Sequence, residues 1–130
     1  MPRKPTLEET LAGLRRLRED PGSEASLGEL RRVLAREGSL AAARAAAIAG
    51  DFALTALVPD LVSAIARFFD EPVKTDPGCK AKTAIVEALR RLDHDDLALY
   101  RRGAGHVQME PVWGGRVDGA VELRVFGHRA

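Results

Sequence analysis

The sequence predicts an all-α fold of stacked antiparallel helical hairpins. Residue types that begin helices recur along the 130 residues. They are Ser, Thr or Asp as a helix cap, or Pro in the first helical turn. Between them, apolar residues repeat at a spacing of three or four, which places them on one face of a helix. The chain has only four Phe, one Trp and one Tyr, so we expect a core of Leu, Ala, Val and Ile. No stretch alternates apolar and polar residues for long enough to predict a strand.

Two capping boxes define the predicted first hairpin. Thr6 with Glu9 three residues later satisfies free amides at a helix start, and leucines then recur at helical spacing. Ser26 with Glu29 predicts the second start, and Gly38 the end of that helix. The sequence therefore predicts two helices before residue 39.

The next hairpin is predicted from an alanine-rich helix and a strongly apolar one. Ser39 is the predicted cap of a helix that ends at Gly50-Asp51, and its alanines form a thin surface that another helix can approach closely. Pro59 is typical of a first helical turn, and the apolar stripe that follows it ends at Phe69.

A third pair of helices and a long loop follow. Asp76-Pro77 predicts a cap and a first-turn proline, and a short helix is expected after Asp95 or Asp96. Residues 103–117 show no sustained periodicity, so they are predicted to form a loop. Asp118 is the predicted cap of a last helix.

Two of these units repeat each other. At an offset of 38 residues Arg44 meets Lys82 and Leu61 meets Leu99. The segments Ala43-Arg44-Ala45-Ala46, Gly50-Asp51 and Val58-Pro59-Asp60-Leu61 resemble the HEAT-like (armadillo-type) helical repeat family. The resemblance implies an α-solenoid of about three and a half repeats. It assigns 6–37 to an N-terminal capping hairpin, 39–70 and 76–102 to repeats, 103–117 to a loop longer than a usual inter-repeat turn, and 118–130 to the start of a further repeat.

Composition excludes several classes of protein. The net charge of +1, from 20 basic and 19 acidic residues spread evenly along the chain, disfavours a dedicated nucleic-acid binder. The single cysteine, Cys79, forms no intramolecular disulfide, and no Cys/His spacing for zinc is present, so we expect a cytoplasmic protein. No signal peptide and no membrane-spanning apolar run are found. The phosphate-binding, nucleophile-elbow and HExxH motifs are also missing.

The loop and the helix before it contain the predicted contact region. Trp113 is the only tryptophan, and His106 and Glu110 lie near it, directly after Arg101 and Arg102. For Trp113 the structural interpretation is the stronger one: with Val107, Met109 and Val112 it folds the loop back over the groove between the third and fourth units. His106 and Glu110 have the chemistry for acid–base work but lack an evident nucleophile.

Other polar clusters have structural explanations. The run Asp93-His94-Asp95-Asp96 has metal-ligand chemistry, but helix capping by one of its aspartates explains it better. Cys79 in a first helical turn would have a pKa lowered by the helix dipole, but a buried thiol is the stronger interpretation. Arginine pairs form either a basic ridge or salt-bridged faces, at 15–16, 31–32, 90–91 and 101–102. No metal or cofactor is predicted.

Together these observations predict a non-enzymatic protein-interaction scaffold with an unidentified protein partner. The unpaired last helix implies either an N-terminal piece of a longer array or self-association through the C-terminal end. Two alternatives remain open. The arginine ridge would bind nucleic acid, as helical-repeat DNA glycosylases do, or the chain would be a lyase-type accessory enzyme resembling the bilin lyase repeat class, with Cys79 as nucleophile.

Overall fold

The computed structural model describes residues 3–112 and 115–128, and about 70% of these residues are helical. None of the helices in these two ranges has the length and apolar content needed to cross a lipid bilayer. Residues Thr55–Leu57 and Pro77–Cys79 form two 3₁₀ turns. The elements in chain order are α1 (Leu7–Leu17), α2 (Glu24–Arg36), α3 (Ser39–Asp51), α4 (Val58–Phe69), α5 (Pro72–Thr75), α6 (Lys80–Arg91), α7 (Leu97–Ala104), β1 (Met109–Val112), β2 (Gly115–Asp118) and α8 (Val121–His128).

Local capping chemistry sets most helix starts, but three predicted caps are displaced. Gly38 and not Ser39 precedes α3, and Asp118 ends β2 whereas α8 begins only at Val121. Thr6 caps α1 as predicted, because its hydroxyl oxygen accepts a hydrogen bond from the Glu9 amide. The prediction that Ser26 caps the second helix is wrong. Ser23 is the cap, since its backbone is extended and its hydroxyl oxygen accepts from the Ser26 amide. Ser26 already lies inside α2 and donates its hydroxyl to the Asp20 carbonyl.

The alanine-rich helix α3 lies at the centre of the molecule. It contacts α1, α2, α4 and α6, and its contact with α6 is the most extensive between any two helices of the described residues. Their approach is close: a Cβ atom on Gly50 would lie 3.3 Å from Cα of Ala88. The expected thin surface is confirmed by its fully buried alanines, at positions 41, 42, 45, 46 and 49.

The contacts form a series in which α1 packs on α3, α3 on α6, and α6 on α8. The pattern of buried and exposed residues along α3 matches the pattern along α6 at an offset of 40 residues, so that Ala42 corresponds to Lys82. The two patterns do not match at the offset of 38 residues. At the smaller offset Arg44 would match Lys82, but Arg44 is exposed whereas Lys82 is fully buried. Basic residues at these two positions therefore do not share an environment.

The predicted loop at 103–117 is corrected by the structure. Helix α7 continues to Ala104, and β1 and β2 form an antiparallel pair in which Met109 lies opposite Asp118 and Val112 opposite Gly115. Each strand has only four residues and most of them are exposed, so no alternating pattern develops. The chain is therefore mostly helical with one small strand pair in its described part. An arrangement as a solenoid of hairpins stays a prediction.

Candidate functional site

The predicted contact residues do not form one cluster, because α7 separates them. Arg102 and His106 meet at Phe69: the guanidinium carbon of Arg102 lies 4.1 Å from the ring centroid, and the His106 ring stands edge-on at 5.2 Å. Arg101 lines a cavity next to α7 instead. Trp113 lies outside the described residues.

Gln108 connects the polar groups beneath the strand pair, although sequence analysis assigned it no role. Its side chain is buried, and its amide nitrogen donates to the Asp76 carbonyl at 2.8 Å and to Glu110 at 2.7 Å. Its amide oxygen accepts from Cys79 at 3.0 Å and lies 3.0 Å from Nε2 of His106. Because an amide oxygen only accepts, His106 donates from Nε2.

Glu110 attaches β1 to the turn before α6. Its Oε2 accepts from the Gly78 amide at 2.7 Å as well as from Gln108. His106 and Glu110 therefore both bind Gln108, and their hydrogen bonds hold the strand pair in place. This arrangement favours a structural role for both residues over acid–base chemistry.

A buried ion pair lies beside this network. Asp76 and Lys82 are fully buried, with Oδ2 and Nζ 3.0 Å apart, and Nζ also donates to the Phe68 carbonyl at 2.9 Å. As predicted, Asp76 accepts amide hydrogens at a helix start, those of Ala81 and Lys82. Nothing in the sequence indicated that Lys82 is buried.

Cys79 is a buried thiol, as the stronger interpretation held. Burial raises its pKa to about 11, so the lowered pKa expected from the helix dipole is wrong.

The raised pKa predicts slow native-state labelling of Cys79. Against an ordinary value of 9.0, a pKa of about 11 reduces the thiolate fraction at pH 8 by about 100-fold. We therefore expect reaction with a disulfide reagent such as DTNB to be at least that much slower in buffer than in urea. Equal rates in the two conditions would show that the thiol is accessible and ionised in the native state.

Asp118 closes the base of the strand pair. Its Oδ1 accepts from the amides of Gln108 and Ala120, each at 2.9 Å, and Arg124 forms an ion pair with its carboxylate. These hydrogen bonds, with a smaller contribution from Arg124, lower the pKa of Asp118 to about 2.

The depressed pKa of Asp118 predicts an acid-sensitive contribution to stability. A carboxyl group whose pKa falls from 3.8 to about 2 on folding stabilises the fold above pH 4, and this contribution is lost as pH falls towards 2. We expect Asp118→Asn to be less stable than the wild type at pH 6 and to approach it at pH 2. Parallel urea denaturation curves across that range would test this, and a constant difference would contradict it.

The cavity beside α7 has a volume of about 940 Å³. The Arg90 guanidinium stacks on the Tyr100 ring at 3.7 Å and donates to the Gly127 carbonyl at 2.9 Å. The Tyr100 hydroxyl donates to the His94 carbonyl at 2.5 Å, and burial raises the pKa of Tyr100, so it stays a donor. These contacts join α6, α7 and the end of α8 around the cavity.

Two buried nitrogen atoms of residues that line this cavity have no hydrogen-bond partner within the described residues, Nε of Arg90 and Nε2 of His94. Oδ2 of Asp96 lies 3.7 Å from the His94 nitrogen, beyond hydrogen-bonding distance. The exposed side chain of Arg101 also has no partner there. Both nitrogen atoms are buried, so they are not open to the cavity itself.

Exposed apolar side chains concentrate in the C-terminal part of the chain. Of the eleven large ones in the described residues, seven lie between positions 97 and 125. Leu97 on α7 is 60% exposed, and on α8 Val121 is 55% and Val125 is 47% exposed. The other four of these seven are Val107, Met109, Val112 and Val117, which lie in the strand pair or just before it.

The other predicted clusters have structural roles. Asp96 caps α7, because its Oδ1 accepts from the Leu99 amide at 3.1 Å. Within the part of the chain that the structure describes, no group of three or more His, Cys, Asp or Glu side chains is placed to hold a metal ion. Several of the paired arginines form ion pairs within the molecule: Arg31 with Asp60, Arg32 with Glu29 and Arg91 with Asp51.

Comparison with known proteins leaves the interpretation to this geometry, since no family model, curated protein or solved structure matches the chain.

Proposed function

We propose that the protein is a non-enzymatic interaction module that binds a partner protein through its C-terminal surface, formed by Leu97, Arg101, Val121, Val125 and the β1–β2 pair. The observation that carries this proposal is the concentration of exposed apolar side chains between positions 97 and 125, in the part of the chain where Leu97 and the unpaired Arg101 line a cavity. Exposed apolar patches mark interaction sites. Arginine is enriched among the residues that contribute most of the binding energy in interfaces.

The proposed architecture is a HEAT-like stack of hairpins. The series of contacts from α1 through α3 and α6 to α8, and the matching burial of α3 and α6, support it. In such a stack each unit buries the apolar face of its neighbour. The exposed Val121 and Val125 on α8 lie where a further unit or a partner would pack.

The two alternative functions receive less support. Nucleic-acid binding needs arginines that are free to contact phosphates, but Arg31, Arg32 and Arg91 are already in ion pairs. A lyase-type reaction needs a nucleophile, but Cys79 is buried and its pKa is raised to about 11.

A paired substitution tests the proposed surface. We expect the wild-type protein to capture a discrete protein from nuclease-treated native lysate, and Leu97→Asp combined with Val125→Asp to lose it. Leu40→Asp is the matched control, because Leu40 on α3 is 53% exposed and lies outside the surface. Circular dichroism establishes that each variant is folded. Equal loss in the control, or capture that depends on nucleic acid, would contradict the proposal.

A further inference from the structure

The second strand of the pair, β2, has an open edge. We propose that this edge binds β2 of a second copy of the chain, antiparallel and about a two-fold axis at Val117. Two strand pairs then join into one four-stranded sheet. The inference goes beyond the proposed function, because it concerns the chain pairing with itself and needs neither Leu97 nor Val125.

The hydrogen-bond register determines which amides lie on the open edge. The Gly119 amide donates to the Gln108 carbonyl at 2.7 Å, so these two residues form a hydrogen-bonded pair at the base of the strands. Hydrogen-bonded and non-hydrogen-bonded pairs alternate along an antiparallel ladder. The backbone groups of a non-hydrogen-bonded pair point away from the partner strand. In this register those pairs are Met109–Asp118 and Pro111–Arg116.

The two edges of the strand pair differ. On β1 the outward-pointing residue Pro111 has no N–H to donate, and proline on an edge strand hinders pairing with another strand. On β2 the N–H groups of Arg116 and Asp118 both point outward. Neither strand contacts a helix of the described residues as extensively as it contacts the other strand. The edge of β2 is therefore accessible to another strand.

The side chains of β2 complement those of a second copy that runs antiparallel. When Val117 lies opposite its own copy, Arg116 lies opposite Asp118 in both directions. Opposite charges directly across two strands stabilise a sheet, whereas like charges destabilise it. Val117 is 49% exposed, so the pairing also removes apolar surface from water. Asp118 already pairs with Arg124, so the charges set the register more than they set the affinity.

The same register identifies the occupant as a second copy. The edge requires a strand with an acidic, an apolar and a basic residue opposite its own Arg116, Val117 and Asp118. Because antiparallel pairing reverses the order of the residues, β2 itself meets this requirement. A two-stranded sheet alone is only marginally stable, and additional strands stabilise it. Two-fold pairing of identical surfaces is also the commonest symmetry of protein oligomers.

Sedimentation and amide hydrogen exchange of the whole purified protein test the pairing together. We expect a monomer–dimer equilibrium in which exchange of the Arg116 and Asp118 amides slows as the protein concentration rises. The Met109 amide points outward on the β1 edge, so it should exchange rapidly at every concentration. A monomer at millimolar concentration, or a dimer in which the two β2 amides show no concentration-dependent protection, would overturn the proposal.

Two substitutions on β2 and one on β1 locate the contact. Arg116→Pro removes an outward N–H but no hydrogen bond to β1, so the strand pair should remain and the dimer should be lost. Val117→Lys places like charges at the two-fold axis and should weaken the dimer about tenfold. Val112→Lys is the matched control, because Val112 is also 49% exposed but lies on β1. Undiminished dimerisation of either β2 variant, or equal loss in the folded control, would contradict the proposal.

The surface variant separates this contact from the proposed function. Leu97→Asp with Val125→Asp should dimerise like the wild type, since neither residue lies on β2. Loss of the dimer in that folded variant would place self-association on α7 and α8 and overturn the inference. If the purified protein stays monomeric, and its β2 amides are protected only when a captured protein is added, β2 pairs with a different chain. The proposed function would then stand and the second-copy inference would fail.

Discussion

Replacing Lys82 with methionine is expected to lower the free energy of unfolding by about 3–5 kcal/mol, the range for breaking a buried ion pair by removing one partner. Asp76 would stay fully buried without its counterion, although the amides of Ala81 and Lys82 still donate to it. The Phe68 carbonyl would also lose the hydrogen bond from Nζ. Urea denaturation followed by circular dichroism at pH 7 measures the change.

The matched control for Lys82→Met is the double variant with Asp76→Asn. Removing both charges leaves no buried ion without a partner, so we expect the double variant to be more stable than Lys82→Met alone. Asparagine also retains an oxygen that accepts the amide hydrogen bonds at the start of α6. If the double variant is as unstable as the single one, charge burial is not the cause of the loss.

Replacing Phe68 with alanine is expected to cost about 3–5 kcal/mol, the range for truncating a fully buried aromatic side chain. The Phe68 ring is 1% exposed, and the Arg67 guanidinium lies over it at 4.5 Å. Arg67 itself donates to the carbonyls of Leu34 and Glu37, so the ring supports a contact between α4 and the end of α2. Thermal and urea denaturation both report this loss.

Phe52→Ala is the control for Phe68→Ala. Phe52 is 40% exposed and also lies under an arginine, Arg18, at 5.6 Å. Its truncation should cost less than about 1 kcal/mol, because little apolar surface is removed from the core. A cost for Phe68→Ala no greater than that for Phe52→Ala would contradict the placement of Phe68 in the core.

Most helices could be predicted because their signals are local. Thr6 with Glu9, Pro59 and Asp96 act on amides or backbone angles within a few residues, and each lies at a helix start in the structure. The error at Ser26 has the same origin. Two serines three residues apart both fit a cap, and the extended backbone of Ser23 selected the earlier one.

The candidate site was predicted only in part. Arg101 and Arg102 are adjacent in α7, but one lines the cavity and the other lies over Phe69. Sequence adjacency says nothing of this, because neighbouring helical residues point about 100° apart. Gln108 lies in a stretch without periodicity, and its partners at positions 76 and 79 come from a distant turn.

The sequence by itself determined a mostly helical chain with a small-residue helix suited to close packing, since propensity, caps and apolar spacing act over a few residues. Only the tertiary structure decided that Lys82 is buried against Asp76, that Met109–Val112 and Gly115–Asp118 pair as strands, and that Arg90 and His94 line one cavity. The physical reason is that burial, strand pairing and hydrogen-bond satisfaction depend on groups brought together from distant parts of the chain.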